Sequence, residues 1–325
     1  NHTGREFFAF ADILENGEKS KYRDWYFIDG FPLKSEWGEI PNFKCFGYYG
    51  GMPKLNLKNP EVEKYITDVA CYWIKECDID GWRLDVGDEI SHFFWKNFRK
   101  AVKAVKKDML IIGEIWHYAG DFLEGDEWDT VMNYPFYLNL IDLLADEKIT
   151  VSQFVQNLGY LKGRLHKNCY PLMWNLIDSH DTARYLHLCN DNKKKQHLAA
   201  AFQLLLPGMP MIYYGDEYAM PGANDPDCRR GMYWDEEYQD KEMYEWYKRL
   251  IQVRKSHACI VEGELAGIVT EDEEGTVVLI RKNGEETIAM IFNCSSSAKK
   301  FNEYTQKYNL LTEYTFDGNV EAFDA

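Results

Sequence analysis

Three apolar runs each end in a carboxylate, and this pattern constrains the fold more than any other feature of the chain. Residues 79–86 read IDGWRLDV and present Asp85, residues 109–116 read MLIIGEIW and present Glu114, and residues 172–182 read LMWNLIDSHDT and present Asp181 behind His180. A strand buried on both faces reads as a continuous apolar run. An ionised side chain is tolerated on such a strand only where it emerges into a cleft, because an unpaired buried charge is very costly. Three strands ending in acids therefore predict three carboxylates at one end of a parallel sheet.

Helical patterns fill the intervals between the runs. Asn59-Pro60-Glu61 combines a capping residue, a proline at the first helical position and an acid in the first turn. Val62, Ile66, Val69, Trp73 and Cys77 follow at helical spacing, so a helix is predicted from there to about residue 77. A second helix is predicted over Ile90, Phe94, Phe98, Ala101, Val102 and Val105. Further helices are expected near residues 137–146, 151–161, 194–206 and 241–255. Strands are expected at about 79–86, 109–115, 130–135, 172–178 and 210–215. This alternation is the mark of an α/β fold with a parallel sheet. After about residue 257 the pattern turns β-rich, with segments 276–281 and 286–292 flanking an Asn283-Gly284 turn. Residues 3–58 show weak periodicity and many Gly, Pro, Asn and aromatic residues, and read as a long functional excursion with little regular structure.

Composition narrows the partners. The net charge of -16 argues against nucleic acid. No apolar stretch approaches the ~20 residues that span a bilayer, so no membrane partner is expected. The eight cysteines form no CxxC pair and match neither a zinc site nor a dense disulfide framework. Free thiols and a cytoplasmic location are expected. The chain opens on Asn1-His2-Thr3-Gly4 without a Met, which reads as a cut inside a longer protein whose targeting signal would be lost.

Clustered carboxylates suit cleavage of a glycosidic bond, which needs a proton donor, a nucleophile and negative charge near a developing cation. The residues themselves then become recognisable. GWRLDV at 81–86, GEIW at 113–116 and SHDT at 179–182 resemble, in order and separation, three hallmark segments of the alpha-amylase superfamily of glycoside hydrolases. Asn1-His2 resembles the tail of a fourth segment and Met52-Pro53-Lys54-Leu55-Asn56 a fifth; the MPKLN form points to the cyclomaltodextrinase, neopullulanase and maltogenic amylase subgroup. The resemblance extends over essentially the whole chain, including Met132-Asn133-Tyr134-Pro135-Phe136 and the β-rich tail.

The resemblance implies a (β/α)8 TIM barrel with a loop domain after the third strand and a C-terminal antiparallel β domain. Its strands four to eight would be the five runs above. Residues 1–256 would be the barrel portion, with the loop domain at about 3–58, and 257–325 a C-terminal β-sandwich. The absence of strands one to three would leave His2 without a tether and the chain inactive, or nearly so, by itself.

By the same resemblance Asp85 is the nucleophile, Glu114 the general acid/base and Asp181 the transition-state stabiliser of a retaining hydrolase acting on α-1,4-glucosidic bonds. The chemistry of the residues agrees. Arg83 lies on the same strand face as Asp85 and would keep it ionised, and the apolar IIGEIW run suits a protonated Glu114. Arg83 and Asp85 taken alone read equally as a structural ion pair. His2 and His180 would donate to sugar hydroxyls. Trp116 is a platform on the leaving-group side or a core residue. Asp225 and Arg229 resemble donor-side sugar contacts, with an ordinary surface ion pair as the alternative. Glu89 matches an acid near the acceptor side, although VGDE at 86–89 departs from the commoner VANE. Asp216 and Glu217 read as structural. No cofactor is required; calcium remains compatible, with Asn1 as its one identifiable ligand. The expected partner is an α-glucan oligosaccharide, and the resemblance leaves room for a homodimer through an N-terminal domain. Two other readings stand beside hydrolysis: a transglycosylase of the same superfamily, and a non-catalytic carbohydrate-binding relative, which would usually lack one of the three acids.

Overall fold

The stretch from 3 to 58 holds more structure than its composition predicts. The computed structural model describes residues 1–35 and 38–325, so residues 36 and 37 of that expected excursion lie outside the described residues. Helix α1 (Phe8–Asn16) has no side-chain cap, which is why it escapes a reading based on capping signals. It is held instead by burial: Ala9, Phe10 and Ile13 pack into an aromatic cluster in which Phe10 meets Tyr26 and Phe43 at ring separations of 5.0 and 5.2 Å.

Helix α2 (Pro60–Cys77) starts as expected. The Asn59 side chain accepts from the Glu61 N–H, Pro60 occupies the first turn, and Glu61 and Glu63 sit at the positive end of the helix dipole. Asp78 ends the helix in the left-handed conformation. Strand β1 (Gly81–Leu84) follows, then helix α3 (His92–Val105), capped by the Ser91 hydroxyl. Strands β2 (Leu110–Gly113) and β3 (Thr130–Val131) complete a parallel three-stranded sheet in the order β1-β2-β3, with Gly81 opposite Leu110 and Gly113 opposite Val131.

By its internal contacts the chain divides into two units, residues 1–115 with 119–131, and residues 116–118 with 132–325. The elements described so far make up the first. In the second, Asn133 caps helix α4 (Tyr134–Leu140) and Pro135 lies in its first turn. Residues 134–135, expected to extend a strand, are therefore helical: the Asn-x-Pro start signal outweighs the apolar run. A π-turn at Ile141–Ala145 continues the segment. Helix α5 (Val151–Gly163) begins with a capping box between Thr150 and Gln153. Strand β4 (Trp174–Asn175), helices α6 (Tyr185–Leu188) and α7 (Lys193–Leu205), strand β5 (Met209–Pro210) and helices α8 (Lys241–Ser256) and α9 (Ala258–Glu262) follow.

Strands β4 and β5 pair in parallel, and Met132 bridges Trp174 in parallel as well. Both strands are far shorter than the apolar runs predict. Pro210 cannot donate to a ladder, and buried side-chain amides take over part of its work. Gln203 donates to the carbonyls of Asn175 and Met211, and Asn133 donates to the Asn175 side chain at 2.8 Å.

The β-rich tail contains an antiparallel sheet of β6 (Glu264–Glu271), β7 (Thr276–Asn283) and β8 (Glu286–Asn293) in that order. β6 has no counterpart among the expected strands. Asn283 pairs with Glu286, so the two-residue turn is Gly284-Glu285, one position later than expected, with φ +59° at Gly284. The core of this unit joins α4, α5, α7 and α8 to the sheet. Phe202 of α7 stacks on Phe292 of β8 at 4.1 Å, with Phe136, Leu140, Phe154, Leu250 and Val277 buried around them. Short strands β9 (Lys299–Lys300) and β10 (Asn319–Val320) pair antiparallel near the end.

Candidate active site

β1 and β2 end side by side, with Leu84 opposite Gly113, so the residues that follow each strand emerge together. Asp85 follows one and Glu114 the other. The Arg83 Nη1 donates to Asp85 Oδ1 at 2.5 Å, and Nη2 lies 3.1 Å from Glu114 Oε2. One planar guanidinium thus contacts both carboxylates. Glu114 is buried at 5% exposure, and its Oε2 also accepts from the Val86 N–H at 2.9 Å, whereas the Asp85 side chain is half exposed. Arg83 therefore does more than accompany Asp85: it joins the two acids.

Val86 stands at φ +48°, a left-handed backbone that a β-branched residue rarely adopts. Nothing in the sequence signals this. It accounts for strand β1 stopping at Leu84 although the apolar run continues: the chain turns at Asp85-Val86 into a 3-10 turn at Gly87–Glu89.

His2 is tethered. The Thr3 N–H donates to the Pro53 carbonyl and the Leu55 N–H to the Asn1 carbonyl, so residues 1–3 pair with the MPKLN segment. This corrects the expectation of a loose His2. Its Nε2 lies 3.7 Å from Asp85 Oδ2, and its ring stacks on Phe46 at 5.6 Å. Burial lowers the His2 pKa below the ordinary imidazole value, so the ring is neutral at pH 7. Glu89 accepts from Lys54 Nζ at 2.7 Å and from Asn1 Nδ2 at 3.2 Å. Burial alone would raise its carboxyl, yet these hydrogen bonds outweigh it and hold the pKa below the usual range. Lys54 is a site neighbour that motif reading did not single out.

The second unit carries the remaining candidates. Asp181 sits in a tight loop, its N–H donating to Ser179 Oγ at 3.1 Å. His180 Nε2 is 3.2 Å from Asp181 Oδ2, and Arg229 Nη2 donates to Asp181 Oδ1 at 3.1 Å. Arg229 Nε also pairs with Asp225 at 2.7 Å. Asp225 and Arg229 thus form a pair, and Arg229 adds a link to Asp181 that the sequence does not reveal. Trp116 stacks face to face on Tyr134 at 4.1 Å and 11° while remaining 40% exposed. The Tyr134 hydroxyl in turn meets Ser179 Oγ at 3.0 Å.

Beneath this loop lies a buried charge network that sequence reasoning found only at Asp216. Arg184, Asp178 and Asp216 are each 1% exposed. Arg184 donates to Asp216 at 3.2 Å and to the carbonyls of Tyr214 and Cys228, and its guanidinium lies over the Tyr213 ring at 4.0 Å. Asp178 accepts from the Tyr185 N–H at 2.8 Å. Burial pushes the Asp178 carboxyl up to about 6 and raises Asp216 well above the usual range, so the pair retains a proton in weakly acidic solution. The signal was present: Asp178 lies inside an apolar run, and a buried charge needs a partner.

Asn1, the residue offered for calcium, accepts at Oδ1 from the His2 ring and donates from Nδ2 to Glu89. No cluster of three or more His, Cys, Asp or Glu among the described residues is arranged to hold a metal ion. All eight cysteines are free, and no helix among the described residues is long and apolar enough to cross a membrane. A cavity of about 630 Å³ in the second unit, between β8, α8 and residues 304–325, contains none of the candidate site residues.

Comparison with known proteins agrees with the motifs. The catalytic-domain model of alpha amylase matches residues 1–263. A cyclomaltodextrinase of Geobacillus thermopakistaniensis (strain MAS1) is 46% identical over 298 residues, covering 92% of this chain and 50% of that protein. The intracellular maltogenic amylase of Bacillus subtilis is 41% identical over 326 residues, covering 100% of this chain and 53% of that protein. Among solved structures, a cyclomaltodextrinase superposes with a TM-score of 0.89 at 40% identity, over 93% of this chain and 52% of that one. The chain spans about half the length of the curated relatives it matches.

Proposed function

The chain belongs to the alpha-amylase family, and on that premise we propose that the protein hydrolyses α-1,4-glucosidic bonds with retention of anomeric configuration. Cyclodextrins and short maltooligosaccharides are the proposed substrates, in keeping with the names of its relatives. We read the parallel strands as the fourth to eighth of a (β/α)8 barrel. In such barrels the reacting groups stand at the C-terminal ends of strands.

One observation carries the reading: a single guanidinium, Arg83, contacts both Asp85 and Glu114. Retention requires two carboxyls ~5–5.5 Å apart, one to attack and one to move a proton. In the proposed reaction the Asp85 carboxylate attacks the anomeric carbon while Glu114 protonates the departing glycosidic oxygen. A covalent glycosyl ester forms at Asp85 and the aglycone leaves as an alcohol. Glu114, now a carboxylate, takes a proton from water as the water oxygen attacks the same carbon. The ester bond breaks, Asp85 is regenerated and Glu114 is reprotonated. Asp181 is assigned to stabilise the cationic transition state. His2, neutral at pH 7, is suited to donate an N–H to a sugar hydroxyl. Every step is supplied by the chain's own side chains.

Asp85→Asn and Glu114→Gln, made in the full protein, should each remove cyclodextrin hydrolysis while leaving the thermal midpoint in place. Proton NMR of the first product from wild type should show the α anomer. A β anomer appearing first, or near wild-type turnover in Asp85→Asn, would overturn the mechanism.

A further inference from the structure

The turn after β1 contains a glycine that its backbone does not require. Gly87 is absent from the positive-φ positions; Val86 takes the left-handed conformation beside it. The reason for glycine is steric. A Cβ on residue 87 would stand 2.6 Å from Cζ2 and 2.9 Å from Cη2 of Trp128. Carbon atoms in good contact lie ~3.5–4.0 Å apart. The other side of the same six-membered ring closes on Gly113, where a Cβ would stand 2.6 Å from Cδ2 and nearer still to Cε3.

Trp128 is 1% exposed and cannot retreat. Phe122 stacks on it at 4.2 Å and 9°, and Trp95 meets it edge-on at 5.7 Å. Trp95 also donates from Nε1 to the Gly87 carbonyl at 2.9 Å. The Trp128 Nε1 itself has no hydrogen-bond partner among the described residues, so the indole serves by its shape.

The position of these glycines gives the shape a consequence. Gly87 lies two residues after Asp85 and donates its N–H to the Glu114 carbonyl at 3.2 Å. Gly113 immediately precedes Glu114. One rigid ring therefore bears on the backbone beside both carboxylates. We propose that Trp128 is a positioning residue that sets the placement of the Asp85–Glu114 pair, and that Gly87 is the small residue its indole demands. This rests on the reading of Asp85 and Glu114 as the reacting pair. It also gives the VGDE departure a physical cause, since the Ala of VANE would overlap this ring.

The test is a coupled pair of substitutions in the full protein. Phenylalanine lacks the outer atoms of the indole, so Trp128→Phe opens the space that an alanine at 87 needs. Gly87→Ala alone should lower kcat ~100-fold, the order of loss caused by a misplacement of about 1 Å. KM should change less than kcat, because the displaced backbone carries the reacting pair. Trp128→Phe alone should lower kcat ~10-fold by loosening the same segments. The double variant should recover to within ~10-fold of wild type and regain the thermal midpoint lost by Gly87→Ala. Additive losses in kcat would overturn the proposal, as would a recovered midpoint without recovered kcat, which would mark Trp128 as packing alone. If Gly87→Ala does not fold, the double variant decides: active supports, inactive overturns. Asp85→Asn assayed in parallel separates the two ideas, since retained activity there defeats the reading of the reacting pair while leaving the 87–128 coupling in thermal midpoint to be measured independently.

Discussion

Glu114 leaves β2 with its carboxylate on the Val86 N–H and the Arg83 guanidinium, and is 5% exposed. Asp181 sits on a loop, about a third exposed, between His180 and Arg229. The supports beneath them differ as well. Under the strand-end pair lies an apolar ring, Trp128, shaped to two glycines. Under the Asp181 loop lies a buried cation, Arg184, tied to Asp216 and to the Tyr214 and Cys228 carbonyls. Steric support is short-ranged and unforgiving, and it suits a pair whose spacing is proposed to set the chemistry. Ionic support acts over greater distance and fixes a loop that has no ladder of its own, at the cost of burying charge.

The sharpest way to separate the two regions is chemical. Glu114→Gln should lower kcat/KM on cyclodextrin by ~10²–10⁴-fold, the span of general acid catalysis. Much of that loss should return with an aryl maltoside whose phenol leaves without a proton. Asp181→Asn should lose comparable activity on both substrates, because stabilising a cationic transition state does not depend on the leaving group. Equal recovery in both variants would erase the division of roles.

Next in size is the ionic brace. Arg184→Met keeps the volume but leaves the acids at 178 and 216 buried without their cation. Breaking a buried pair by removing one partner costs about 3–5 kcal/mol. Urea denaturation should register this as a lower midpoint at unchanged slope. A loss below about 1 kcal/mol, the scale of an exposed pair, would show that the buried guanidinium adds little net stability.

The same brace predicts a pH dependence of its own. Burial raises the Asp178 pKa from its ordinary 3.8 to about 6 and raises Asp216 in the same direction. A carboxyl with a raised folded pKa binds its proton more tightly in the folded state. Its contribution to stability is complete below about pH 4 and is lost as pH rises through about 6. Asp178→Asn, which keeps an oxygen for the Tyr185 N–H, should flatten the stability profile between those limits. An unchanged slope in urea titrations at pH 4, 5, 6 and 7 would mean that the pair keeps no proton.

What could be read without coordinates divides along the same line. The acids themselves, the Asn59 and Pro60 helix start, and the α/β alternation carry local signals, and the structure has the helices at nearly the expected positions. Strand lengths were overestimated because apolar character continues into residues such as Val86 and Ile115, which leave the sheet to aim their neighbours. Helix α1 carries no capping signal, and β6, with Leu265, Ile268 and Val269 exposed, lacks the buried alternation that marks a strand. The supports of the site were hidden for a different reason. Trp128 lies 41 residues from Gly87, and Arg229 lies 48 from Asp181, so neither pairing leaves a local pattern.

The smallest expected effect concerns Arg229 and asks whether the exposed end of the ionic region works by stability or by contact. Its guanidinium joins Asp181 at 3.1 Å to Asp225 at 2.7 Å, but it is 45% exposed. Solvent screens such pairs, and they contribute about 0.2–1 kcal/mol each. Arg229→Ala should therefore lower stability by no more than about 1 kcal/mol, with the difference shrinking further in 0.5 M salt as the Debye length contracts to a few ångströms. Its effect on catalysis should be larger and should fall on KM for long maltooligosaccharides, if the arginine meets a sugar. The measurement is a pair of KM values, for maltotriose and for a heptasaccharide, in wild type and variant. A loss confined to the heptasaccharide assigns Arg229 to a remote sugar. An equal loss of kcat on both makes it instead a partner that holds the Asp181 carboxylate in place, and the ionic region then governs chemistry as directly as Trp128 is proposed to do in the other.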